Sequence, residues 1–156
     1  MRNLAVLGLL ITCVSFQSCK NDKNEKNDKT QEIAKATSVN CYKAVYEQDT
    51  LDLKINTFED GKVTGTMEMA IENMPTKVGE LVGETKGDTI FASYTFIQGS
   101  NKEKTFKNPM AFLKRNNQLI LGNGQIQITL GASHFVKGEP IDFDSVKYKF
   151  DPVDCK

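Results

Sequence analysis

The run Leu51-Asp52-Leu53-Lys54-Ile55-Asn56-Thr57-Phe58-Glu59-Asp60-Gly61-Lys62-Val63-Thr64-Gly65-Thr66-Met67-Glu68-Met69-Ala70-Ile71 decides the fold class. Leu51, Leu53 and Ile55 alternate with Asp52, Lys54 and Asn56. Alternation with a period of two puts one residue set on each face of a strand. Asp60-Gly61 tolerates the positive φ that a tight hairpin demands. Beyond it Val63, Gly65, Met67, Met69 and Ile71 again fall on one face. Two antiparallel strands with a buried and a wet side follow.

The pattern repeats on both sides of this hairpin, with turn residues every ~8–12 positions, as in an all-β domain. Upstream, Tyr42, Ala44 and Tyr46 alternate before a turn expected at Asp49 and Thr50. Downstream, Asn73-Met74-Pro75-Thr76 breaks the chain. In residues 78–85 (VGELVGET), Gly79, Leu81 and Gly83 share a face, and Val78, Glu80, Val82 and Glu84 share the other. Glycines inside a strand mark strong curvature or close approach of another backbone. In residues 89–98 (TIFASYTFIQ), Ile90, Ala92, Tyr94 and Phe96 face one way and Phe91 and Ile97 the other, so both faces have something to cover. Residues 110–113 (MAFL) follow Asn108-Pro109, and proline predicts a break, a bulge or an edge. Leu119-Ile120-Leu121 and then Ile126, Ile128 and Leu130 read as two strands around Gly122-Asn123-Gly124. Periodicity is lost over residues 131–144. Val146, Tyr148 and Phe150 form a last run, ended by Asp151-Pro152. The expectation is all-β: one antiparallel barrel or strongly curved meander sheet of about eight or nine strands.

The first 39 residues have another texture. Met1-Arg2 precedes an apolar run of 13 residues, 4–16. That is short of the ~20 residues a membrane-spanning helix needs and matches the core of an export signal. Small or polar residues then lead to Cys19. Residues 20–29 (KNDKNEKNDK) contain no apolar side chain to offset the entropy of ordering, and read as a tether. The expected division is 1–18 signal peptide, 19–39 tether and 40–156 β domain. From Asn40 onward, 14 basic residues face 16 acidic ones, a net charge of −2. Such a domain lacks the basic footprint of a nucleic-acid binder.

Two cysteines, Cys41 and Cys155, flank the β domain. In an exported chain they are expected to form a disulfide, with metal binding or a reactive thiol as the alternatives. No C-x-x-C spacing is present, and His134 is the only histidine. Ser133 next to His134 on a strand points to the opposite face, so the pair is a poor nucleophile and base. Asp142, Asp144, Asp151 and Asp154 read as a solvated acidic edge rather than a calcium loop. Glu80 and Glu84 read as the polar side of a strand. Lys102, Lys104, Lys107 and Phe106 read as a small basic loop. No enzyme, cofactor or metal is expected. Met67, Met69, Tyr94 and Phe96 are the candidate apolar pocket, since small barrels can hold one ligand.

The stretch Phe16-Gln17-Ser18-Cys19 resembles the lipobox of bacterial lipoproteins, in which the cysteine receives diacylglycerol and becomes the new N-terminus. Cys13 after Leu10-Ile11-Thr12 is the rival position. With the Lys/Asn/Asp tether, Cys41-Tyr42 and residues 83–96 (GETKGDTIFASYTF), the chain is similar to small uncharacterised lipoproteins of Bacteroidota, the flavobacterial type in particular. The resemblance implies a cell-envelope address at the outer membrane, reached through an N-terminal lipid anchor on Cys19. It also implies a β domain similar to lipocalin-like (calycin) barrels. The functional expectation is a monomeric binding or interaction module with an envelope protein partner. The alternatives are a carrier of a small apolar ligand and an inhibitor of an envelope-targeting enzyme such as lysozyme.

Overall fold

A computed structural model describes residues 35–156. The expected signal segment, the lipid-bearing Cys19 and most of the tether lie outside the described residues. Among the described residues there is no helix.

Seven strands run as an up-and-down meander: β1 (Ser38–Tyr46), β2 (Asp49–Thr57), β3 (Lys62–Ala70), β4 (Lys77–Lys86), β5 (Thr89–Gln98), β6 (Asn101–Arg115) and β7 (Gln118–Leu121). The chain then leaves the sheet for β8 (Asn123–Gly124), β9 (Ile126–Thr129), β10 (Ala132–Phe135) and β11 (Ile141–Asp142). It returns as β12 (Lys149–Val153), which fits between β7 and β1 and closes an eight-stranded antiparallel barrel. β9 pairs with β10 and β8 with β11, as two small sheets outside the barrel. Both the barrel and the predicted strand number are therefore observed, and the excursion adds four short strands.

Alternation places the core as the sequence predicts. Leu51, Leu53 and Ile55 of β2 are buried, as are Val63, Met67 and Met69 of β3 and Ile90, Ala92, Tyr94 and Phe96 of β5. The strand glycines carry the curvature. A methyl group on Gly79 would run into the carbonyl oxygen of Thr95, and one on Gly83 into that of Phe91. Both lie on the inner face of β4, opposite Phe96 and Ala92 of β5. Only a residue without Cβ lets the two backbones approach so closely.

Several local expectations are corrected or narrowed. The first turn is Glu47 and Gln48, because Tyr46 pairs with Asp49, which already belongs to β2. The basic residues Lys102, Lys104 and Lys107 lie in β6 rather than a loop. Of the three readings of Pro109 the edge is observed: β6 passes through it unbroken, in register with Ser93 and beyond the reach of β7, and the irregularity falls at Ile97 and Gln98. β12 likewise runs through Pro152, which pairs with Tyr42. Both prolines share one reason. β7 pairs β6 only from Phe112 to Arg115, and pairs β12 only at Lys149 and Phe150. Pro109 and Pro152 therefore sit where the strand has a barrel neighbour on one side, and a missing N–H costs no ladder bond there. β1 begins at Ser38, paired with Thr57.

Candidate functional site

The barrel interior is packed with its own side chains. Met67, Met69, Tyr94 and Phe96 do come together, but as one buried layer of the core. The Tyr94 hydroxyl donates to the Met67 carbonyl oxygen at 2.9 Å. Burial pushes its phenol far above the usual range, with the Glu68 charge adding to it. The rings of Tyr94 and Phe96 stack at 4.8 Å, and Phe106 of β6 stacks on Phe96 at 5.5 Å. Phe112 meets Phe150 edge to face at 5.9 Å. An eight-stranded barrel is just wide enough for such side chains to fill it.

The clefts lie outside. One of about 630 Å³ is bordered by Lys35, Phe58, Asp60, Lys62 and Val82. A second, of about 530 Å³, runs between the outer faces of β4, β5 and β6 and the β9–β10 hairpin. Phe91, Pro109 and Met110 line it from the barrel, and Ser133, His134 and Phe135 from β10. The two clefts share Lys62, Val82 and Gly83, so they form one furrow across β4. Its outward apolar members include Phe58, Val82, Phe91 and Phe135, whereas Met110 at its floor packs against the core. Phe135 is placed by Gly124, where a methyl group would strike its ring. The outward face of β5, with Phe91, is thus half-covered by the hairpin. A third cleft of about 630 Å³ lies over β1–β3, next to the disulfide.

His134 forms part of the wall of this furrow. Its Nδ1–H donates to the Ala132 carbonyl at 3.3 Å, and Nε2 accepts from the Gln127 amide at 2.9 Å. It pairs with Gln127 across the hairpin while Ser133 pairs with Ile128, so successive side chains face opposite sides of the strand. Glu84, on the outer face, bonds Lys86 at 2.6 Å. The C-terminal carboxylates are dispersed into local contacts. Asp142 accepts from the backbone N–H of Asp144 and Ser145, which holds its carboxyl below the usual range. Asp144 pairs with Arg115 at 2.7 Å, and Asp151 accepts from Gln118 at 2.8 Å. Among the described residues, no three His, Cys, Asp or Glu side chains gather as a metal-ligand set.

Cys41 and Cys155 are joined in a disulfide that closes 114 residues of sequence. Asp49 is the buried polar side chain of the core. It accepts the Glu72 backbone N–H at 2.8 Å and the Tyr148 hydroxyl at 2.7 Å. These bonds, that from Glu72 foremost, hold its carboxyl below the usual range. Burial first and the Asp49 contact second push Tyr148 up to about 12. The sequence offered no sign of this cluster beyond the presence of an aspartate at a strand start. Nor did it mark Phe135 or Val82, because a furrow between a barrel and an excursion depends on how the excursion folds back.

The fold is a small closed eight-stranded antiparallel barrel, compatible with a calycin-like barrel. No protein-family model, no curated protein and no solved structure matches the chain.

Proposed function

We propose that this protein is a lipid-anchored binding module of the cell envelope that engages its target through the outer furrow, not through the barrel lumen. The observation behind this reading is the distribution of apolar surface. The inward side chains are packed against one another, while Val82, Phe91 and Phe135 border an open strip outside the barrel. Concave, largely apolar surfaces with a few polar groups at the rim are the usual binding sites of small domains. Lys62, Glu84, Ser93 and Ser133 provide that rim.

The furrow is tested with an apolar fluorescent dye such as anilinonaphthalene sulfonate. The wild-type domain binds it, and Val82→Asp, on the barrel's outer face, weakens binding about tenfold without shifting the melting temperature. Equal binding by both proteins would sink the furrow reading. Native mass spectrometry of oxidised protein purified from a periplasm reads any molecule that travels with it. A bound small molecule lost in Val82→Asp would move the assignment to a carrier. The anchor has a separate test: labelled fatty acid enters wild-type protein and not Cys19→Ala, and labelling that survives the substitution contradicts it.

A further inference from the structure

The β9–β10 hairpin leaves its apolar residues uncovered. Ile126 is 49% exposed, Ile128 73% and Leu130 103%. They succeed one another toward the tip. Leu130 and Gly131 form the turn, at φ 51° and 80°. An aliphatic residue in the left-handed region is strained, and asparagine is the ordinary occupant of such a turn. Leu130 thus carries a strained backbone and a fully hydrated side chain with no contact inside the domain to offset either. The surrounding sequence is equally unusual. From Asn116 to Val136 there is no Lys, Arg, Asp or Glu across 21 positions, in a chain with 26% charged residues.

We propose that the β9–β10 hairpin is a membrane-contacting wedge, with Leu130 at the tip and Ile128 and Ile126 behind it entering the interfacial layer of a lipid bilayer. A protruding aliphatic tip suits a medium that opens around it. β9 does have a free sheet edge, but pairing along that edge would leave Leu130 beyond the last strand position. The place where the domain begins supports the same partner. Lys35 borders the cleft that shares Lys62, Val82 and Gly83 with the cleft under β10. The described chain therefore begins, at Lys35, on the hairpin's side of the barrel. Cys19 lies 16 positions before Lys35, at most ~55 Å of chain. A protein held at Cys19 keeps this side within reach of the bilayer, and in this respect the proposal rests on the lipid-anchor reading. The flanking charges are mixed: Lys62 and Glu84 on the barrel, Lys137 and Glu139 after the hairpin. Binding is then apolar in origin and insensitive to salt.

The test places an environment-sensitive fluorophore on Leu130→Cys in the mature chain bound to vesicles of phosphatidylethanolamine and phosphatidylglycerol. Cys41 and Cys155 are engaged with each other, so they do not compete for the label. Val45→Cys, on the outer face of β1, is the control. Emission from position 130 shifts to the blue and is quenched by nitroxide-bearing lipids, and emission from position 45 is not. Anchored protein whose position 130 reports bulk water overturns the wedge. Failure of the anchor is seen separately as absent fatty-acid labelling. In that event, partitioning of the unlipidated chain onto the same vesicles decides. Leu130→Asn, which suits the turn and preserves the hairpin, weakens it about tenfold. Equal partitioning of both proteins, or self-association that Leu130→Asn abolishes in place of vesicle binding, overturns the proposal.

Discussion

The meander β2–β5 and the seam β6–β7–β12–β1 enclose the same core by different means. In the meander, every strand pairs along nearly its whole length, from Thr50↔Ala70 to Lys86↔Thr89. Backbone ladders and close-approaching glycines hold it. In the seam, β12 meets β7 only at Phe150↔Leu119 and Lys149↔Ile120, and meets β1 at Cys41, Tyr42 and Lys43. Side chains supplement the short ladders there: the Cys41–Cys155 disulfide, the Tyr148 hydroxyl on Asp49 and the Gln118 amide on Asp151. A barrel built from a meander needs its last strand to find its first, the most distant pairing in the chain. Covalent and charge-assisted contacts are concentrated where loop-closure entropy is largest.

The largest test of this contrast removes the staple. Cys41→Ala with Cys155→Ala frees a loop of 114 residues. In the chain-entropy model that costs about 4–5 kcal/mol, a large share of a typical domain's stability. Urea denaturation of the oxidised wild type and the double variant measures it. Hydrogen exchange should then show β12 and β1 opening before β3 and β4. Uniform exchange across the barrel would mean that the seam is no weaker than the meander.

The next test strikes the meander. Gly79→Ala places a methyl group against the Thr95 carbonyl and the Phe96 backbone. The β4–β5 ladder must shift to admit it, at about 3 kcal/mol, the upper range for overpacking. The same substitution at Gly87, in a turn with open space around it, meets no atom and is strained only by its φ of 59°. A loss at Gly79 no greater than at Gly87 would contradict the close approach.

These two regions were not equally legible in the sequence. The meander has a strict period of two and signals its first hairpin with Asp60-Gly61, so both its strands and their inner faces could be read directly. Gly79 and Gly83 even announced the curvature. The seam could be read only in part. Phe150 was visible in a final strand, but Val146 and Tyr148, read with it, precede β12, and Pro152 read as its end, since the absence of a second neighbour at that point is a property of the closed barrel. Met67, Met69, Tyr94 and Phe96, read as a candidate pocket, all belong to the core cluster. Whether such a group lines a hole or fills it depends on ring stacking and on the Tyr94–Met67 hydrogen bond, which no local pattern encodes. Ile126, Ile128 and Leu130 have the alternation of a buried strand and are exposed, because β9 belongs to the excursion.

A smaller effect separates the seam by pH. Asp49 has a lowered carboxyl pKa, so its contribution is present above the unfolded value of ~3.9 and fades as pH falls through the folded one. Tyr148 is raised to about 12. Its contribution is present below ~10 and is lost as pH climbs from there toward the folded value. Tyr148→Phe removes the hydroxyl from Asp49 and lowers the melting temperature by about 5 °C at neutral pH. It also flattens the alkaline limb of the stability profile while keeping most of the acid limb, because the Glu72 N–H, Asp49's stronger partner, remains. An unchanged alkaline limb in Tyr148→Phe would assign the pH dependence elsewhere.

The smallest expected change is also the one with the opposite sign. Leu130→Asn replaces a strained aliphatic residue at φ 51° with one that favours this conformation. Removing an unfavourable backbone choice is worth up to about 1 kcal/mol. The excursion contributes little to the barrel's core, so a local gain at its tip reaches global unfolding only weakly. Thermal melts should show no loss and at most a slight rise, whereas any comparable polar substitution at Leu51 or Leu81, both fully buried, would unfold the domain. A clear loss of stability in Leu130→Asn would show that the hairpin tip packs against the domain, and would move Leu130 from the binding surface to the structure.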